Sequence, residues 1–456
     1  MRAFRYMKRF SLFGLSVCAG CSLKWMILDS RVLAVENEID NASSSERMRL
    51  KHVQILFRHG ARTPLHMTPG IEQATYPVNM LIRLAPHTMV DMEFLSAEGK
   101  ELLPSRFDAH YQKTKLKGGS TSGLLTTFGQ DQMYLLGKRL RKEYIENIKF
   151  LDSFDPNLVK LKTTHMKRTK ESLRCVLAGF FGAENLNKNG PVKVESNDTT
   201  DEYLVPSPNI CPVFRQINHS AMIHGSDIPE FKEDRALLEE TLGKKHFSKK
   251  AVQFIDCRDD LIARKTHGLP FPEHITPEIV DMVDKNATKL LFYAVCGQHE
   301  AERLVATRLS TGRLIQVFLD NIQNVVKGEN NAKMQMYSAH DSTVLPALSA
   351  LGLDVTEWPP FGADLILELY EDSDKNHYVQ VKYLGKPQIV RGCDKELCPL
   401  DKFLEEISPF AISQKEFQEV CHSNILEVIA KEMLEQEIGE VEDEESKERS
   451  DFAPGL

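Results

Sequence analysis

A chain of 456 residues with 42% hydrophobic and 27% charged residues can bury one large core or two smaller ones without disulfide or metal staples. Its formal charge of -8 is concentrated at one end, because Glu432 to Asp451 holds ten acidic against two basic residues. The body is therefore near neutral and carries no electrostatic footprint for nucleic acid.

The first 28 residues contain no acid and set Arg2, Arg5, Lys8, Arg9 and Lys24 around an apolar stretch from Phe10 to Leu23. Residues 1–30 read as a cleaved targeting segment, since the stretch is too short and too interrupted to span a bilayer. Arginines spread through an acid-free start point to a mitochondrial transit peptide, and a secretory signal is the alternative. No integral membrane span is expected in the mature chain. Cys18 and Cys21 would leave with the segment. The seven remaining cysteines read mostly as small buried hydrophobes, with Cys393 and Cys398 close enough to close a short disulfide loop. Asn-x-Ser/Thr at Asn41, Asn197, Asn218 and Asn286 is no more than chance supplies.

The β-branched and apolar run from His52 to Phe57 reads as a buried strand that stops at Arg58 and Gly60. A helix is predicted from about Phe128 to Tyr144, started by Thr126 or Thr127, with Met133, Leu136, Leu140 and Tyr144 on one face. Val159 to Thr164 reads as a strand followed by a helix ending near Phe181. Met334 to Ser338 reads as a strand before a helix from Ser342 to Leu351, with Gly352 as its stop. Asp364 to Tyr370 and Tyr378 to Leu384 read as a late hairpin. A short helix around Ile425 to Leu434 and an acidic tail, 432–456, close the chain. Strands alternating with helices predict an α/β fold, a layered, mostly parallel sheet flanked by helices. The core is assigned to 45–205 and 297–424. Residues 206–296, with short charged helical pieces broken by Pro and His, are read as an inserted helical cap domain.

Arg58, His59 and Arg62 place an imidazole between two guanidinium groups directly after a buried strand. Fixed positive charge holds an imidazole neutral, leaving a lone pair free to attack phosphorus. Arginine forks match phosphate oxygens. Gly60 is expected to let backbone approach the substrate and Pro64 to begin a helix. As a bare dipeptide His340-Asp341 is weak, but it follows a strand in an α/β layer, where ligands collect. His340 could donate to phosphate, and Asp341 could protonate a departing alkoxide. Gly118, Gly119 and Gly123 lack the Lys-Ser/Thr of a nucleotide loop and read as a flexible linker. Trp358 and Phe361 are candidates for the substrate mouth. The histidines show no metal-ligand spacing, so neither metal nor cofactor is expected.

These motifs resemble the histidine acid phosphatases, whose signature is R-H-G-x-R-x-P early and H-D late. Leu116-Lys117-Gly118-Gly119, Gly137-Lys138-Arg139-Leu140-Arg141-Lys142, Leu177-Ala178-Gly179, Trp358-Pro359-Pro360-Phe361, and Arg391-Gly392-Cys393 with Leu397-Cys398-Pro399-Leu400-Asp401 are similar to members acting on lysophosphatidic acid. The resemblance runs from about Leu50 to Cys421 and is weakest in the cap. It implies that His59 is the nucleophile, forming phosphohistidine, that Asp341 is the proton donor, and that Arg58, Arg62 and His340 bind phosphate. It also implies disulfides Cys393 with Cys398 and Cys211 with Cys421. The expected partner is a small phosphate ester, a lysophospholipid, turned over by a monomer. One position departs: where the family begins an R-S-T segment with a phosphate-binding arginine, this chain has Lys162-Thr163-Thr164. Lys162 is expected to face the phosphate as a point charge without a planar fork, while Arg168 is read as a structural support of the loop. The alternatives are a broad-specificity secretory or lysosomal acid phosphatase on soluble esters and an inactive phosphate-binding relative.

Overall fold

The computed structural model describes residues 48–431 apart from 83–85, 198–201, 225–227 and 248–250. The targeting segment, Asn41 and the acidic tail lie outside the described residues. In chain order the strands are β1 (Arg49–Arg58), β2 (Met92–Leu95), β3 (Val159–Thr163), β4 (Val192–Glu195), β5 (Met334–Ala339), β6 (Asp364–Glu371), β7 (His377–Tyr383), β8 (Lys386–Gln388) and β9 (Leu397–Pro399). They form one sheet in the order β2-β4-β3-β5-β1-β6-β7-β8, with β9 paired to β7. From β2 to β1 every pairing is parallel, and β6, the first arm of the expected hairpin, joins β1 antiparallel. The fold is the expected mixed α/β layer.

Eight longer helices matter for the site: α1 (Thr127–Arg141), α2 (Lys167–Phe181), α3 (Pro212–His224), α4 (Pro229–Leu242), α5 (Phe254–His267), α6 (Pro277–Cys296), α7 (Glu300–Val326) and α8 (Asp341–Ala350). Side-chain alternation along β1 divides the core. Val53, Ile55 and Phe57 pack with Leu136, Leu140, Val176 and Phe180 of α1 and α2, while Leu56 packs with Leu314, Phe318 and Leu348 of α7 and α8. Thr126 Oγ1 accepts from Gly129 N at 3.1 Å and caps α1. A Cβ on Gly137 would lie 2.1 Å from the Val176 carbonyl oxygen, and one on Gly179 would lie 2.2 Å from that of Tyr134, so these glycines allow α1 and α2 to touch backbone to backbone.

Residues 206–296 supply α3 to α6, whose Phe214, Phe231, Phe254, Val283 and Leu290 share a core that also takes in Leu345 and Trp358. That shared core holds α5 beside the loop that follows β1, where Asp259 meets Arg62 and Leu65. Cys211–Cys421 and Cys393–Cys398 are disulfides, and Cys175, Cys257 and Cys296 are buried thiols. Asn197 and Asn286 are buried, and Asn286 donates to Asp234, so neither is placed as a glycan acceptor. No helix among the described residues is long and apolar enough to cross a membrane.

Two local expectations are corrected. Pro64 begins no helix; its carbonyl accepts from Gly123 N at 3.2 Å in an extended loop. Gly118 and Gly119, at φ of 95° and 92°, form a fixed turn rather than a linker. Leu116 and Ser120 close it, and Ser120 N donates to Tyr76 O. A left-handed backbone is the glycine requirement there.

Candidate active site

Strand register assembles the site. Arg58 on β1 stands opposite Ala339 on β5, and Thr163 on β3 stands opposite Ser338. His59, Thr164 and His340 therefore leave the sheet side by side at the carboxyl ends of three adjacent parallel strands. The loop after β1 is pinned to α1 and α2: Gly60 N donates to Ser172 Oγ at 3.1 Å, Ala61 N to Gln132 Oε1 at 2.9 Å, and Thr126 Oγ1 to Ala61 O at 3.1 Å. A Cβ on Gly60 would lie 2.5 Å from the Gly129 carbonyl oxygen. Glycine is needed for packing on α1, which replaces the expected role in substrate approach.

His59 Nδ1 lies 2.8 Å from Gly60 O. A carbonyl only accepts, so Nδ1 carries the proton and Nε2 keeps its lone pair. Burial, followed by the charges of Arg168, Arg58, Arg62 and His340, pushes the His59 pKa well below its ordinary value. The imidazole is neutral at neutral pH.

Arg58, Arg62 and Arg168 are 2%, 5% and 5% exposed. Arg58 Nη1 donates to Pro359 O at 2.6 Å, Nη2 meets Asp341 Oδ2 at 2.7 Å, and the guanidinium lies 4.1 Å over the Phe361 ring. The Trp-Pro-Pro-Phe segment thus supports Arg58 as well as edging the mouth. Arg62 Nη1 meets Asp259 Oδ1 of α5 at 2.7 Å. Nε of Arg58 and of Arg62, with Nε and Nη1 of Arg168, are buried without a protein hydrogen-bond partner. Each such donor costs about 1–3 kcal/mol if left unmade. An anion with several oxygens relieves both the unmade bonds and the mutual repulsion of the guanidiniums.

Arg168, expected only as a structural support of the loop, lies within this cluster. It sits in the first turn of α2, and helical side chains tilt toward their own N-terminus, so it reaches back to the strand ends. That direction was the usable signal. Its Nη2 donates to His340 Nδ1 at 3.4 Å, and His340 Nε2 lies 3.0 Å from Thr164 Oγ1. Burial, then Arg168, holds His340 well below its ordinary pKa.

Lys162 stands apart from this cluster. Register sets Glu195 of β4 opposite it, and its Nζ meets Glu195 Oε1 at 2.5 Å and lies 4.1 Å over the Tyr203 ring. The expected phosphate-facing ammonium is instead neutralised across the strands.

Asp341 opens α8. Burial alone would raise its pKa, but Arg58, Arg62 and His340 outweigh burial and, with a 2.9 Å hydrogen bond from Trp358 Nε1, hold it well below the usual carboxylate range. It is a carboxylate at rest. Arg58, Arg62 and Asp341 floor a cleft of about 150 Å³ that α5 walls with Ile255, Arg258, Asp259 and Ile262. Nothing in the sequence singled out Arg258 or Asp259. Among the described residues no group of three or more His, Cys, Asp or Glu side chains is placed to hold a metal ion.

Residues 49–384 match the family model described as histidine phosphatase superfamily (branch 2). Lysophosphatidic acid phosphatase type 6 of Bos taurus is 33% identical over 409 residues, 88% of this chain and 93% of that one. The Homo sapiens protein of the same name is 33% identical over 417 residues, 89% and 95% of the two chains. Among solved structures, apo phytase of Hafnia alvei superposes with a TM-score of 0.54 at 14% identity, covering 83% of this chain and 99% of that one, a likeness of fold.

Proposed function

The chain belongs to branch 2 of the histidine phosphatase superfamily, and on that premise we propose a metal-independent phosphate-monoester hydrolase working through phosphohistidine on His59, with lysophosphatidic acid as substrate and monoacylglycerol and phosphate as products. The observation that carries the reading is a neutral His59 imidazole set among three buried guanidiniums, each with at least one buried donor that lacks a protein partner.

Arg58, Arg62 and Arg168 hold the non-bridging oxygens, and His340 donates once phosphate displaces one of its present contacts. His59 Nε2 attacks phosphorus, the N–P bond forming as the P–O bond to the leaving group breaks. The leaving oxygen takes a proton from Asp341. That carboxyl is ionised at rest because Arg58 faces it. A monoanionic phosphate ester brings a proton and takes over the Arg58 charge, and burial, the largest influence on Asp341, then favours its protonated form. Water next attacks phosphorus and gives its proton to Asp341 as the N–P bond breaks, releasing phosphate.

The lipid substrate is supported by the names of the relatives and by apolar Leu65, Ile255, Ile262, Leu291 and Trp358 around the cleft, which suit an acyl chain. The inactive-relative reading rested on Lys162, and Arg168 removes that support by supplying a guanidinium. Delivery to mitochondria by residues 1–30 belongs to the same proposal, and two disulfides call for a thiol-oxidising compartment there. The test is phosphate release in chelator from lysophosphatidic acid, glycerol 3-phosphate and an aryl phosphate. The expected kcat/KM for the lipid exceeds that for glycerol 3-phosphate by about tenfold or more, the scale of a few buried methylenes. Equal values would favour a broad acid phosphatase, and loss of activity in chelator would contradict metal independence.

A further inference from the structure

Arg258 is a cleft cation that the reaction above does not use. It projects from α5 with a side chain only 8% exposed, and its Nε is ion-paired with Asp284 of α6. The guanidinium lies 4.1 Å over the ring of Trp358, the same ring whose Nε1 donates to Asp341. Its charge is felt at Arg58, and it feels the charge of Asp341. Among the described residues its hydrogen bonds use Nε alone, which leaves its two terminal amino groups for the cleft it lines.

The adjacent Asp259 lines the same cleft. Its Oδ1 meets Arg62 and its Oδ2 accepts from Leu65 N at 2.5 Å, one contact per oxygen, so each keeps accepting capacity. A donor and an acceptor thus stand together on the wall where the leaving group must lie, since Asp341, the group that faces its oxygen, is in the same cleft. A second phosphate on the substrate could use Arg258 but would face the carboxylate of Asp259 beside it. An ester carbonyl could use Arg258 but would leave Asp259 idle. A hydroxyl accepts from one and donates to the other.

We propose that Arg258 and Asp259 form a hydroxyl-recognition subsite that selects phosphate esters whose leaving group carries a hydroxyl on the carbon next to the ester-bearing one. The inference rests on the phosphatase reading and adds a selectivity that this reading does not require. Arg258, on this view, sets specificity and takes no part in bond making.

The experiment compares two matched pairs, 1-oleoyl lysophosphatidic acid against its 2-deoxy analogue and glycerol 3-phosphate against 3-hydroxypropyl phosphate, in wild type, Arg258→Leu and Arg258→Lys. Wild type is expected to favour the hydroxylated member of a pair by about tenfold or more in kcat/KM, the scale of one hydrogen bond to a charged group. Arg258→Leu should shrink that ratio to within about threefold, chiefly through KM of the hydroxylated member, and Arg258→Lys, which keeps a donor, should retain part of it. A wild-type ratio near one in both pairs, or an equal loss on both members in Arg258→Leu and Arg258→Lys, overturns the proposal. Discrimination within the soluble pair without turnover of either lipid supports the subsite while contradicting the lipid substrate, so the two claims fail separately.

Discussion

Lys162 and Arg168 are both buried cations, 5% exposed, one at the end of β3 and the other in the first turn of the helix that follows. Lys162 has a carboxylate 2.5 Å from Nζ and a tyrosine ring beneath it. Arg168 has Nε and Nη1 without protein partners, and Nη2 on an imidazole that is itself held neutral. Burial makes an unmade hydrogen bond expensive, so Arg168 is suited to an anion in a way that Lys162 is not. A counter-charge alone does not decide, since Arg58 and Arg62 also face carboxylates yet keep unpartnered Nε donors. Charge and sequence position alone would choose the wrong residue of the two.

The largest effect expected is at the imidazole those guanidiniums surround. His59→Ala should lower kcat by about 10⁴-fold or more, while the melting temperature changes little; measurable turnover of alkyl esters by this variant would break the link between cation cluster and chemistry. Asp341→Asn comes next, slowing alkyl esters by about 10²–10³-fold but activated aryl esters by less than about tenfold, because only alkoxides need a proton to leave. Uniform losses would remove Asp341 from that role.

Arg168→Met sharpens the comparison directly. Loss of one charge-assisted contact should raise the inhibition constant of inorganic phosphate by about 10–100-fold. After burial, Arg168 is the largest influence that holds His59 and His340 below their ordinary pKa values. Removing its positive charge raises both folded pKa values, so the imidazoles protonate at higher pH and the acid limb of kcat/KM should move upward. An unmoved acid limb in the pH profile would contradict the assigned electrostatics. The smallest effects belong to Lys162. Lys162→Met should change phosphate inhibition by less than about threefold and lower stability by about 1 kcal/mol, since Glu195 is 43% exposed and can turn to water. Phosphate inhibition as sensitive to Lys162 as to Arg168 would reverse the comparison.

What could be read from the sequence follows from periodicity. Apolar runs located β1, β3 and β5 and their helices, and the Arg58-His59 and His340-Asp341 clusters fell at strand ends where the register later aligned them. The part that could not be read depends on contacts across the fold. Lys162 looks like a lone cation until the register brings Glu195 opposite. Arg168 looks like a helix residue until the tilt of its side chain is considered. Asp259 and Arg258 come from α5, almost 200 residues beyond His59, in a stretch whose charged helical pieces gave no pattern aimed at the site. The glycines also needed the structure, since a Cβ on Gly60 would meet the Gly129 carbonyl and one on Gly129 would meet that of Ala61.

The most direct measurement is rapid denaturation after mixing the enzyme with phosphorus-labelled substrate, followed by chemical stability tests and peptide mapping of the bound label. A neutral, cation-surrounded His59 predicts base-stable, acid-labile phosphate on the peptide containing His59, and no bound label in His59→Ala. Label on an aspartate, serine or cysteine, or retained by His59→Ala, would contradict it.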